Sequence, residues 1–395
     1  MAPEREAWAV LATVHGLGPI TFGLLLREQG SAVRVLELAA SPAGRMQLRD
    51  GPAHDRDRLP FPMVEALGAA ASDAPRIVAR LAEDGVTFLT VDDEAYPARV
   101  RMLEEPPPVL FVRGSVAALG TPRAVAIVGT RRPTDTGRRI AARIADAIAR
   151  LGAVVVSGLA LGIDGAAHAA AVAAERPTIA VMGSGHRHLF PKAHARLAEA
   201  IVAGGGALLS ELPPDAEPTH GTFPRRNRLI SGLTEATVVV EAAARSGALI
   251  TARWALEQGR GCYLVPGSID APMSAGCLAL LRAYPGEARI VAGVAELIDD
   301  LELVAPGPAS PDRPAFDGPV SRAALLASLG TAEARVADAL ADGAATLDEL
   351  ALRTDLPIPT VLGTLTLLEM RGLIVAAYGR YRPAGALASV APAPD

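Results

Sequence analysis

From about residue 85 onward, short unbroken apolar runs alternate with segments whose apolar residues recur every three or four positions. The runs AVAIVG (124–129), AVVVSG (153–158), PTIAVMG (177–183), ALLSE (207–211), TVVVEA (237–242) and GCYLVPG (261–267) have strand length. Between them GRRIAARIADAIARLG (137–152), IDGAAHAAAVAAE (163–175) and ITARWALEQG (250–259) carry the period of a helix. Strands apolar at every position, interleaved with helices, predict a parallel sheet covered on both faces. The expected fold is therefore α/β, a doubly wound sheet over residues 80–303. Two earlier runs, VTFLTVDD (86–93) and PPPVLFVRG (106–114), read as short strands around a proline stop.

The flanking regions have other patterns. Residues 1–75 show helical spacing, interrupted at His15-Gly16-Leu17-Gly18-Pro19, which predicts a small helical domain of the helix-hairpin-helix or sterile-alpha-motif type. Residues 304–320 are rich in proline and read as a linker. Residues 321–385 show three helical stretches, the second opened by a capping box, Thr346 to Glu349, followed by a hairpin pattern: a winged helix. The tail 386–395 is expected to be disordered. In the third helix of the wing module, TVLGTLTLLEMRG, the charges are Glu369 and Arg371. A major-groove reading helix carries several polar or basic side chains, so a packing or protein-contact role fits this one better than operator recognition. Arg380 and Arg382 on the wing leave room for weak contact with DNA.

Composition narrows the picture. Half of the 395 residues are apolar and 21 % are charged, enough for real cores. The N-terminus lacks the pattern of a signal peptide and no apolar run has the length of a membrane span, so a cytoplasmic protein with no membrane contact is expected. Cys262 and Cys277 make neither a disulfide framework nor a metal cluster. The net charge of −5 argues against a generally basic surface, yet positive charge is locally dense. Six arginines from Arg123 to Arg143 share their span with one acid, Asp135, and the stretch FPRRNR holds Arg225, Arg226 and Arg228 around Asn227.

Five stretches carry candidate chemistry. Gly129-Thr130-Arg131 opens a strand-to-helix loop whose backbone N–H groups and helix start suit an anion, though neither the dinucleotide glycine fingerprint nor a Walker loop is present. Ser157 and Gly158 end the next strand at the same sheet edge; Asp164 and His168, four apart, fit a helix cap with a hydrogen bond better than a metal pair. In Gly185–His194 three histidines match no zinc spacing, while Phe190 beside Lys192 sets a ring next to a cation. Phe223 with Arg225, Arg226, Asn227 and Arg228 repeats that pairing, the combination that single-stranded nucleic acid requires: charge for its backbone and a π-face for a base. Ser246 and Gly247 lie in a further strand-loop-helix turn after Glu241. No nucleophile or metalloprotease motif occurs, so the residues demand neither an enzyme nor a cofactor. The alternative is a nucleotide-binding Rossmann-like enzyme that cleaves or senses mononucleotides, with Glu211 or Glu241 as its acid.

The segments VGTRRPTDTG, SGLALGIDGAAH, LLSELPP, FPRRNRLISGL, VVVEAAARSGALITARWALEQGR and VPGSIDAPMSAG, in that order, resemble the DprA/Smf family of DNA-processing proteins. The resemblance spans the whole α/β region and implies an extended Rossmann-like domain, with a basic pocket at Arg131, Lys192 and the arginine-rich RRNR stretch. It further implies a homodimer that binds single-stranded DNA, shields incoming strands and loads the RecA recombinase during natural transformation. This chain departs from the family pattern at Phe190-Pro191, at His194 and at Leu278.

Overall fold

The computed structural model describes residues 2–50 and 58–303 and, toward the C-terminus, 322–327, 329–343, 346–371, 373–377, 380–383 and 387. The expected linker, and all of the expected tail except Leu387, lie outside the described residues. The chain forms two units, Met1–Pro306 and Gly307–Asp395.

The first unit is organised by a nine-stranded sheet made of β1 (Val86–Thr90), β2 (Val109–Gly114), β3 (Ala124–Val128), β4 (Val154–Ser157), β5 (Thr178–Val181), β6 (Ala207–Ser210), β7 (Ala236–Val239), β8 (Gly261–Leu264) and β9 (Ala288–Ile290). Their order across the sheet is β1-β2-β6-β5-β4-β3-β7-β8-β9. The strands from β6 to β9 pair in parallel, as their all-apolar sequences require. Every residue of β3, β4, β5 and β7 is buried. Helices cover both faces: Asp135–Arg150 and Ile163–Ala173 pack on one, Ala248–Glu257 and Thr222–Gly232 on the other. The pair β1 and β2 adds an antiparallel margin, β2 running antiparallel to β6.

The order reverses between β3 and β7: successive strands step outward from β3 to β6, and the chain then returns to place β7 on the other side of β3. The two strands splay their following loops apart at that point, opening a crevice at their carboxyl ends. The sheet topology thus fixes where a ligand site can form before any side chain is considered.

Six N-terminal helices between Ala2 and Glu83 belong to this same unit. Ala9 and Leu81 from the first and last of them bury against Val86, Val109 and Phe111. They cover the margin of the sheet at β1, where unpaired backbone groups invite pairing with another chain.

The second unit contains helices Arg322–Ala327, Thr331–Ala341, Leu347–Thr354 and Ile358–Met370, then β10 (Ile374–Ala377) paired antiparallel with β11 (Arg380–Pro383). The capping box of Thr346 and Glu349 is formed in both directions. Val336, Leu340, Leu350, Val361, Leu365 and Leu368 make its core.

Candidate nucleic-acid interface

A cavity of about 840 Å³ occupies the crevice between β3 and β7. Its wall on one side is the segment 128–132 after β3, and on the other the segment 243–248 after β7. Phe223, Arg226, Asn227 and Ile230 of helix Thr222–Gly232 close a third side.

The loop after β3 is a braced arch. Gly129 has no room for a side chain: a Cβ there would lie 2.6 Å from Ile163. Thr130 N donates to the Glu241 carbonyl at 2.7 Å, which extends the β3–β7 pairing past the strand ends. The Glu241 carboxylate accepts from Thr134 N at 2.9 Å and from Thr134 Oγ1 at 2.5 Å. That oxygen in turn caps the helix Asp135–Arg150 by accepting from Gly137 N at 3.0 Å. The carboxylate sits where a Cβ on Gly137 would be, 2.3 Å from its own Cδ. Both ends of the arch are tied down, and Arg131 and Arg132 stand exposed at its crown. Neither makes an ion pair among the described residues, nor does Arg245 on the facing loop. The guanidinium of Arg131 lies 5.7 Å from the centre of the Phe223 ring, and Phe223 meets Phe190 at 5.5 Å with the rings tilted by 54°. Phe190 is nearly half exposed.

Arg226 forms the floor. It is buried, with its guanidinium donating to the carbonyls of Gly158, at 2.8 Å, and Val181. A Cβ on Gly158 would meet that guanidinium at 2.8 Å, which accounts for the glycine. Burial, opposed by the nearby Asp164 carboxylate and assisted by the charge of Arg131, lowers the Arg226 pKa to about 10. It stays cationic at neutral pH and supplies a charge that water screens poorly. Burial raises the pKa of Asp164, and the Arg226 charge and two backbone N–H groups oppose the rise. Those groups are Gly158 N and Ala160 N, at 3.1 and 3.4 Å. Asp164 therefore shapes the loop that precedes its helix, rather than capping the helix as expected from its position. His168 hydrogen-bonds through Nδ1 to Thr178 Oγ1 at 2.8 Å, a buried packing contact. Asn227 Oδ1 accepts from Arg226 Nε and its Nδ2 donates to Gly247 O, both at 3.2 Å, joining the floor to the facing loop.

Of the residues singled out from sequence, Gly129, Thr130, Arg131, Phe190, Phe223, Arg226, Asn227, Ser246 and Gly247 line the cavity. Ser157, Gly158, Lys192, Arg225 and Arg228 do not. Ser157 is buried and donates to the Ile127 carbonyl at 2.6 Å; Lys192 is exposed. The three arginines of the RRNR stretch separate because the stretch is helical. Positions 223, 226, 227 and 230 share one face, whereas 225 and 228, three apart, point elsewhere. Arg228 is buried against Glu211 at 2.5 Å, with side-chain exposures of 8 % and 7 %, and Arg225 reaches the same carboxylate at 3.7 Å. Sequence reasoning passed over Arg132, Arg245 and His220 in the lining. The first two stand inside quoted motifs and carried a readable signal, a cation next to a strand-end turn; His220 carried none.

The two acids that an enzymatic reading would use are both engaged, Glu241 by Thr134 and Glu211 by Arg228. The histidines in 186–194 diverge: His186 Nε2 contacts the Leu208 carbonyl at 3.1 Å, and His194 Nδ1 the Leu159 carbonyl at 2.9 Å. No helix among the described residues is long and apolar enough to cross a membrane. In the second unit Arg371 pairs with Glu333 at 3.1 Å. Leu362 and Leu367 of helix Ile358–Met370 are exposed, that helix being the fourth of the unit, one later than the sequence pattern predicts.

Comparison with known proteins agrees with this architecture. Residues 87–302 match the family described as DNA recombination-mediator protein A, and residues 320–380 the DprA winged helix domain. The DNA processing protein DprA of Bacillus subtilis is 42 % identical over 208 residues, which is 53 % of this chain and 70 % of that protein. Protein Smf of Escherichia coli is 38 % identical over 302 residues, covering 74 % and 76 %. The X-ray structure of DprA from Streptococcus pneumoniae superposes with a TM-score of 0.52 at 30 % identity, covering 68 % of this chain and 96 % of that one. With a family match across more than half its length, and with both the parallel sheet and the winged helix in place, the chain belongs to the DprA/Smf family.

Proposed function

We propose that this protein binds single-stranded DNA, without performing chemistry on it, in the cavity between β3 and β7. The observation that carries the reading is the grouping of three guanidinium groups that form no ion pair among the described residues, Arg131, Arg132 and Arg245, with the rings of Phe223 and Phe190 around one opening. Guanidinium groups grip phosphates of any sequence, and aromatic faces stack on any base. The membership in a family described as recombination mediators supports the wider role: a cytoplasmic homodimer that shields incoming strands and loads RecA onto them during natural transformation.

Equilibrium binding of a labelled oligothymidine, followed by fluorescence anisotropy, tests this. Three phosphate contacts per chain predict a logarithmic salt slope of about −2, hence a loss of roughly twentyfold in affinity from about 50 to 200 mM salt. Arg131→Ala and Arg245→Ala should each weaken binding and flatten that slope. Affinity untouched by both substitutions would refute the cavity assignment. Sedimentation of the free protein tests the dimer, and the lag before RecA filament growth on coated DNA tests loading.

A further inference from the structure

The six arginines between Arg123 and Arg143 are not all accounted for by the cavity. Arg123 is held by Glu235 at 3.1 Å, and Arg131 and Arg132 stand at the cavity mouth. Arg138, Arg139 and Arg143 remain, all exposed on helix Asp135–Arg150. The helix buries Gly137, Ala141, Ile144, Ala145, Ile148 and Ala149. Arg139 and Arg143, four apart, share the outward face, about 6 Å from each other along the axis.

We infer that this helix face is a second contact surface for the same single strand, receiving the backbone of the nucleotides that extend beyond the cavity. Three observations converge on it. The first is continuity: the helix begins at the arch that carries Arg131 and Arg132, so the basic row starts at the cavity lip and leads away from it. The second is that none of the three forms an ion pair among the described residues, Arg139 donating instead to the neutral Thr136 hydroxyl at 3.1 Å. Asp135, three and four residues before Arg138 and Arg139, forms no ion pair with either. Helix Val294–Asp300 packs against this one, yet its acids Glu296, Asp299 and Asp300 pair with none of these arginines. The row ends where neutralisation begins, at Arg150, which is paired with Asp146 at 2.9 Å. The third is what the face lacks. No large hydrophobic side chain is exposed on it, whereas a protein partner of ordinary kind needs an apolar or aromatic centre. Charge without a stacking ring suits a sugar-phosphate backbone and reads no base. The cavity would hold and stack a few nucleotides, and the helix would hold the path of the next ones.

This inference rests on the cavity reading, and the length of the oligonucleotide separates the two. The variant Arg138→Gln/Arg139→Gln/Arg143→Gln keeps helix propensity and removes three exposed charges. Binding of oligothymidines of about 5 and about 20 nucleotides, near the lower and beyond the upper site size of a single-strand-binding OB-fold, is measured by anisotropy against salt with the full-length protein. For the long strand the salt slope should fall by about 2, so that the wild-type advantage shrinks roughly twentyfold between about 50 and 200 mM salt. For the short strand, affinity and slope should stay close to wild type. An equal loss with both lengths, which a diffuse field would cause, overturns the proposal, as does no loss with the long strand. Failure of the cavity reading looks different: Arg131→Ala would then leave the short strand's affinity unchanged.

Discussion

The arch 129–134 and the helix Thr222–Gly232 look alike in sequence, each a cluster of arginines next to a strand, and they fold into opposite uses of the same side chain. On the arch the guanidinium groups of Arg131 and Arg132 face outward, because the backbone beneath them is satisfied by Thr134, Glu241 and Thr130. On the helix Arg226 and Arg228 are buried and bonded internally, to the strand-end carbonyls of Gly158 and Val181 and to Glu211. Local charge density is thus a poor guide to which arginines are available. What decides is whether an acid or a carbonyl from elsewhere in the chain reaches them first.

The sharpest break in the comparison is Arg228→Ala. It leaves the buried Glu211 carboxylate with the half-exposed Arg225, at 3.7 Å, as its remaining ion-pair partner among the described residues, and truncating one member of a buried pair costs about 3 kcal/mol. Urea denaturation should show this, while oligothymidine affinity measured under folding conditions stays near wild type. A variant of normal stability that binds DNA poorly would move Arg228 from scaffold to interface.

Next in size is a pH effect on the buried side. Burial and the charges of His194 and Arg226 lower the His168 pKa to about 3, against about 6.5 when unfolded. Between those values the unfolded chain binds the extra proton, so stability rises with pH and is lost on acidification. From pH 7 to pH 5 the loss from this residue is about 2 kcal/mol. His168→Gln should remove that part of the slope; an unchanged slope would mean that His168 is accessible to protons.

The smallest change in free energy belongs to the arch. Arg131→Ala should cost less than about 0.5 kcal/mol of stability, as exposed substitutions do, and about 1.5 kcal/mol of DNA binding, the value of one charged hydrogen-bonding contact. Comparable losses on both axes would show that Arg131 braces the arch.

Much of this fold is written in local pattern. The all-apolar runs that became β3, β4, β5 and β7, and the helical spacing between them, need only sequence periodicity to be read. The carboxyl-edge position of the GTRR and ARSG turns follows from that alternation. The helix Thr222–Gly232 was hidden, since its first turn holds Phe223, Pro224 and Arg225 and its apolar residues gather only from Leu229 onward. Without the helix the phase that sends Arg226 inward and Arg225 aside cannot be assigned. The partnership of Arg228 with Glu211 depends on β6 ending beside that helix, a non-local fact. The antiparallel margin of β1 and β2 was likewise out of reach, because short strands state their length but not their direction.

The central claim, that a strand lies across Arg131, Phe223 and Phe190, is tested most directly by photocrosslinking an iodouracil-substituted oligonucleotide to the full-length protein and mapping the joined peptides by mass spectrometry. Adducts on Phe190 or Phe223, suppressed by excess unlabelled single strand, are the predicted result. Adducts confined to residues 322–383, with none on the peptides that line the cavity, would contradict it.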